Sequence, residues 1–196
     1  MKKGIIAVIV LGLLGVIIVG WYVRTNNNLI DMKGQATKQW ANVESSYQRR
    51  SDLIGNLVKT VQGAADFERE TLSDVIEARS KATSTNIDAN NLTQEQLAEF
   101  QQAQTGLSSA LSRLLVTVER YPDLKASQNF LELQAQLEGT ENRIAVSRKR
   151  FNEVTQDYNT YIRTFPNSMI AGWGGFERKP LFEAEEGAEK APEVQF

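Results

Sequence analysis

The chain of 196 residues contains no cysteine and no histidine. The first absence excludes disulfides, thiol nucleophiles and a lipid-modified cysteine, the second excludes imidazole bases, and together they remove the usual zinc ligands. Only carboxylates, amines, amides and hydroxyls remain for chemistry. No spacing of acids points to two carboxylates converging on one pocket. The expectation is therefore a protein that is not an enzyme and has no cofactor and no metal. Surplus positive charge is lacking too: 22 Lys and Arg stand against 24 Asp and Glu. With a net charge of −2 and a pI near 5.4, no basic field argues for a nucleic-acid partner. Short alternating apolar runs are also missing, and with them the signal for β-strands.

What is present begins with Gly4 to Val23, GIIAVIVLGLLGVIIVGWYV, an uncharged run about as long as the ~20 residues that cross a bilayer core as a helix. Cleaved signal peptides have shorter apolar stretches, about 7–15 residues, and a small-x-small site that does not occur here before Arg24. The run is read as an uncleaved anchor over residues 1–24, with the lipid bilayer as its first partner. Lys2, Lys3 and the terminal amine all lie within three residues of it, whereas at the other end only Arg24 adjoins it and Lys33 and Lys38 lie farther off. This predicts a single-pass protein of the cell membrane with a cytoplasmic N-terminus and an extracytoplasmic C-terminal domain.

Residues 25–166 read as helices with apolar seams. A 3-4 repeat runs Trp40, Val43, Tyr47, Arg50, Ile54, Leu57, Val61, the spacing of a coiled-coil-like face, with an arginine on it. A second helix is predicted over Phe67 to Ala82, with Leu72, Val75 and Ile76 as its apolar face. After a turn-rich loop from Thr83 to Asn91, Thr93 and Gln96 form a capping box. A third helix then carries Leu97, Phe100, Gln104, Leu107, Leu111, Leu114 and Val118 up to Pro122. The fourth seam runs from Phe130 through Leu133, Leu137, Thr140, Ile144, Ser147, Phe151, Val154, Tyr158 and Tyr161 to Phe165, stopped by Pro166. The predicted fold is all-α: an N-terminal transmembrane helix followed by an up-and-down four-helix bundle.

If the first and fourth helices are antiparallel, equal rise per residue sets Arg50 opposite Ala145, with Gln104 and Ser147 within about a turn. A buried guanidinium needs a carboxylate and further acceptors. Glu141 is the nearest acid along the fourth helix for Arg49 or Arg50, and Asp52 is expected near Arg143 or Arg148. Arg49, Arg50, Asp52, Asn56, Gln104, Glu141, Asn142 and Arg148 thus form a candidate polar layer or partner face. Two readings stand: interhelical ion pairs that fix register, or a site for a ligand or partner.

Several of these residues belong to longer motifs. Arg49-Arg50-x-Asp52-Leu53-Ile54 with Asn56-Leu57-Val58, Tyr121-Pro122-Asp123-Leu124, Glu141-Asn142-x-Ile144 with Arg148, Phe151-Asn152, Tyr158-Asn159 and Phe165-Pro166 together resemble the LemA family over nearly the whole chain. Gly55 stands where that family usually has proline, and Phe151 where it usually has tyrosine. The resemblance implies a membrane-anchored helical bundle without established catalysis. Family members are often encoded beside membrane proteases or other envelope proteins. This implies a scaffold or interaction role in the bacterial cell envelope, with a protein partner that could be a membrane protease. The alternative is an accessory subunit of such an enzyme, contributing carboxylates such as Asp52 and Glu141 to a site. A homo-oligomeric scaffold is a third reading.

Residues 167–196 place Met169, Ile170, Trp173, Phe176, Leu181 and Phe182 among glycines without helical or strand period. An extended segment along the bundle is expected, followed by an acidic end bearing Glu183, Glu185, Glu186, Glu189 and Glu193. Trp173, Phe176, Phe182 and the C-terminal Phe196 are the candidate tail contacts for a partner.

Overall fold

A computed structural model describes residues 2–63, 67–84 and 87–183. All regular structure among them is helical: α1 (Lys2–Gln62), α2 (Arg69–Ser84), α3 (Gln94–Val118), α4 (Pro122–Lys125), α5 (Gln128–Tyr161) and α6 (Asn167–Trp173). The apolar N-terminal run and the first seam share α1. No proline precedes Pro122, so nothing removes a donor from the hydrogen-bond ladder between them. The apolar part of α1 is exposed apart from the half-buried Trp21 at its end, and it makes α1 long and apolar enough to cross a membrane.

Seam positions from Trp40 to Val61 on α1 are all buried, as are those from Leu97 to Val118 on α3. On α5, Phe130, Leu137, Thr140, Ile144, Phe151 and Tyr158 are buried. Helices α1 and α5 are antiparallel neighbours: Ser46 reaches Ser147 at 3.1 Å, and Asn28 donates to the Tyr161 hydroxyl at 3.3 Å. Helices α2 and α3 pack on one another, and α2 also touches α1. At the start of α3, the Thr93 hydroxyl accepts from the Gln96 amide and the Gln96 side chain accepts from the Thr93 N–H. These bonds satisfy donors that the first helical turn leaves free.

Three apolar clusters lie along the long axis. The one farthest from the N-terminal run gathers Ile54, Leu57, Val61, Val75, Leu107, Leu114 and Phe130. The middle one centres on Trp40, whose ring meets Phe100 at 5.6 Å, Phe151 at 5.4 Å and Phe182 at 5.8 Å. The first two contacts are edge-on, the geometry favoured by the quadrupoles of aromatic rings. The third cluster, nearest the N-terminal run, joins Leu29, Tyr158, Ile162, Ile170 and Ala171.

Several boundaries differ from expectation. Helix α3 ends at Val118 and Pro122 instead opens α4, where its missing N–H costs nothing. Helix α5 ends at Tyr161, ahead of Pro166. Phe165, in the turn beyond that end, is 77% exposed rather than part of the seam. Ile76 is exposed, so the buried face of α2 runs through Leu72, Val75 and Ala82. The segment after Pro166 is not extended throughout: residues 167–173 form α6, and the extended stretch begins only beyond the turn at Gly174 and Gly175. The predicted acidic end beyond Glu183, with Phe196, lies outside the described residues.

Candidate functional site

The arginine of the α1 seam is the centre of a polar layer. Its side chain is 4% exposed and that of Glu141 is 47% exposed, with 3.0 Å between Arg50 Nη1 and Glu141 Oε1. The same nitrogen donates to Ser108 Oγ at 3.1 Å. Nη2 donates to the side-chain oxygen of Gln104 and, at 3.4 Å, to its carbonyl. Gln104 Nε2 in turn donates to the Ala82 carbonyl at 3.2 Å, bringing in α2. Arg50 lies 5.0 Å from the Tyr47 ring centroid, where the ring face favours a cation. Only Nε of the guanidinium is buried without an acceptor. Four helices are thus tied to one charge, and Glu141 goes to Arg50 rather than Arg49. Ser108 was not anticipated, because it lies off the apolar seam.

Asp52 does not pair with Arg143 or Arg148. Its cationic neighbour is Arg79, at 3.9 Å. Arg79 also donates from Nε to the Ser51 carbonyl at 2.8 Å. Gly55 leaves room for this: a Cβ there would lie 3.2 Å from the Arg79 guanidinium carbon. The α1–α5 junction nevertheless brings several predicted residues together. One shallow groove is lined by Arg49, Asp52, Asn56 and Arg143, among others. A second contains Asn42, Asn142, Arg143, Val146 and Arg150, and the two share Ser45, Ser46 and Arg143. The surface is mixed in charge, rich in amides and open to solvent.

Arg148 faces the tail. Its guanidinium carbon lies 4.9 Å from the Phe182 ring centroid, and Nη2 donates to the Glu183 carbonyl at 3.1 Å. Two asparagines on α5 fix the tail's register. Asn152 accepts from the Phe182 N–H and donates to its carbonyl, both at 2.9 Å. Asn159 does the same for Lys179, at 2.9 and 2.8 Å. The asparagines are two helical turns apart, about 10 Å. Lys179 to Phe182 spans about the same length when extended, so the clamps match. Phe182 is buried against Trp40, Phe176 is half-buried, and Trp173 is exposed.

Lys179 is itself buried, and its ammonium donates to the Ala89 carbonyl at 2.8 Å. Burial, then the charge of Lys33, hold its pKa below the ordinary value. Tyr158 donates to the Glu177 carbonyl at 2.9 Å. Burial, then the Glu177 charge, raise its pKa above the ordinary 10.0. A raised folded-state value means stability that is complete below the unfolded pKa and lost as pH rises through the folded one. Thermal unfolding should therefore show an alkaline loss above about pH 10 that is smaller in Tyr158→Phe. Equal slopes would mean that Tyr158 is not held protonated by the fold.

Comparison with known proteins adds relatives to this geometry. The chain is 26% identical to the protein LemA of Metamycoplasma hominis, over 84% of this chain and 72% of the relative. It is 28% identical to the magnetosome protein MamQ of Magnetospirillum gryphiswaldense and 26% identical to the magnetosome protein MamQ 2 of Paramagnetospirillum magneticum. Those two alignments cover 80% of this chain but 64% of each relative, so the chain spans less than two thirds of their length. The model of the LemA family matches residues 39–196, the stretch that holds Arg50, Glu141 and both asparagine clamps, and the chain belongs to the LemA family.

Proposed function

We propose that this protein is a membrane-anchored, non-enzymatic interaction or scaffold protein of the bacterial cell envelope. In this reading α1 crosses the membrane once and the remaining long helices form an up-and-down four-helix bundle outside the cytoplasm. The bundle presents the α1–α5 groove to a protein partner, for which a membrane protease is one candidate. The supporting observation is the unbroken run of α1 from Lys2 to Gln62. It joins the apolar span to the groove without a hinge. Counted at 1.5 Å per residue, Ser46 stands ~35 Å above Val23. The two acids that would serve an enzyme site are otherwise engaged, Glu141 with Arg50 and Asp52 with Arg79. This favours the scaffold over an accessory enzyme subunit.

A photo-crosslinking residue placed at Asn42 or Asn142 in intact membranes should yield an adduct with a different polypeptide. The same probe at Val116, which is 71% exposed on α3, should not. Adducts of twice the protein's own mass would favour a homo-oligomeric scaffold. Equal labelling from all three positions would remove the groove from consideration.

A further inference from the structure

The end of the helical body nearest the apolar run carries a second apolar surface, built by α6. Ile170 and Ala171 on one side of this helix are buried in the cluster with Leu29, Tyr158 and Ile162, and Trp21 packs against the same cluster. Met169 and Trp173, one turn apart on the helix, share another side. They are 47% and 74% exposed, and Phe165 in the turn leading into α6 is 77% exposed. Large aromatic and thioether side chains are seldom left so open in water without a partner.

The position of α6 identifies that partner. Residues 4–23 rise about 30 Å as a helix, the thickness of the hydrocarbon core. Trp21 therefore lies where α1 leaves the apolar layer, and α6 is packed beside α1 at that level. The exposed side chains thus sit at the level where the apolar run of α1 ends. A tryptophan ring suits this depth, since one face can lie among acyl chains while its N–H reaches the headgroups. Arg163 just before the turn and Arg24 on α1, both exposed, supply cations for anionic headgroups.

We propose that α6 is an interfacial membrane-docking helix, seating Phe165, Met169 and Trp173 in the outer boundary of the same bilayer that α1 crosses. The protein would then have two membrane attachments, a spanning helix and a short collar lying against its exit point. The collar fixes how the helical body stands on the bilayer, because a body free to lean would lift these side chains into water. This rests on α1 being a membrane span, and the test reads that separately.

The native chain has no cysteine, so single cysteines can be labelled uniquely. Full-length Trp173→Cys, Met169→Cys, Ile9→Cys and Val116→Cys carrying an environment-sensitive fluorophore would be reconstituted into phosphatidylcholine–phosphatidylglycerol vesicles. Labels at 173 and 169 should emit to the blue of the label at 116. They should be quenched several-fold more by lipids spin-labelled near the headgroup than by lipids labelled deep in the chain, and the label at 9 should show the reverse preference. Water-like emission at 173 and 169 with a quenched label at 9 would overturn the docking helix while leaving the anchor. Blue-shifted but unquenched labels would also overturn it, assigning the patch to protein contact. Failure of the label at 9 would overturn both.

Discussion

Glu141→Leu is expected to destabilise the protein by about 3 kcal/mol in denaturant unfolding, and adding Arg50→Met should restore most of that loss. Breaking an ion pair by removing one partner costs roughly 3–5 kcal/mol when the remaining charge is buried. Here the buried member is Arg50, while Glu141 is half in solvent. The two deletions are therefore unequal. Without Glu141 the guanidinium keeps only neutral acceptors, the Gln104 oxygens and the Ser108 hydroxyl. Without Arg50 the carboxylate can turn to water, and the main loss is a buried Gln104 oxygen without its donor, about 1–3 kcal/mol. Methionine fills similar space with apolar contact, offsetting part of that loss, so Arg50→Met alone should be the milder change. Strictly additive effects, or a Glu141→Leu protein as stable as the parent, would show that Arg50 is adequately solvated and that the layer contributes little.

Phe182→Ala should cost about 3–5 kcal/mol, the usual range for emptying a buried phenylalanine site. Deleting everything after Pro166 should cost more. Read from the sequence alone, Trp173, Phe176 and Phe182 are partner contacts on an extended tail. The structure points the other way for residues 170–182. Truncation would uncover Trp40 and Phe151, on which Phe182 packs, and would remove Ile170 and Ala171 from the cluster around Leu29. Asn159→Ala should reproduce part of the effect, since it leaves the Lys179 N–H and carbonyl without their partners in a buried position. The near-ultraviolet circular dichroism of Trp40 should collapse in the truncated protein at temperatures where the parent retains it. An unchanged spectrum would mean that the tail lies on the body without supporting it.

The long seams were readable because each apolar contact recurs at a spacing that only one helix face satisfies. Every seam position from Trp40 to Val61 is buried, and rise-per-residue arithmetic placed Arg50 near Glu141 and Gln104. The partner of Asp52 lies on α2, whose sequence carries little spacing signal. Its apolar pattern is short, so nothing in the spacing brought Arg79 to the neighbourhood of Ser51. Helix α6 left no periodic trace because it is only seven residues long and glycines follow it at 174 and 175. The asparagine clamps are of another kind. Each joins a side chain to a backbone, so the tail residue it holds needs no particular side chain, and only Phe182 carries a visible signature.

The length of α1 has a mechanical consequence. From Val23 to Gln62 the helix extends ~58 Å. A membrane-spanning segment that leans by about 20°, a common tilt for single helices, would swing the distal tip sideways by ~20 Å while lowering it by only a few. If α1 crosses the bilayer as proposed, thinning or thickening of that bilayer becomes lateral displacement of the tip, amplified by the length of the lever. The lever works only while its fulcrum holds. On that reading the fulcrum lies at Trp21, Leu29 and the α6 residues packed against them.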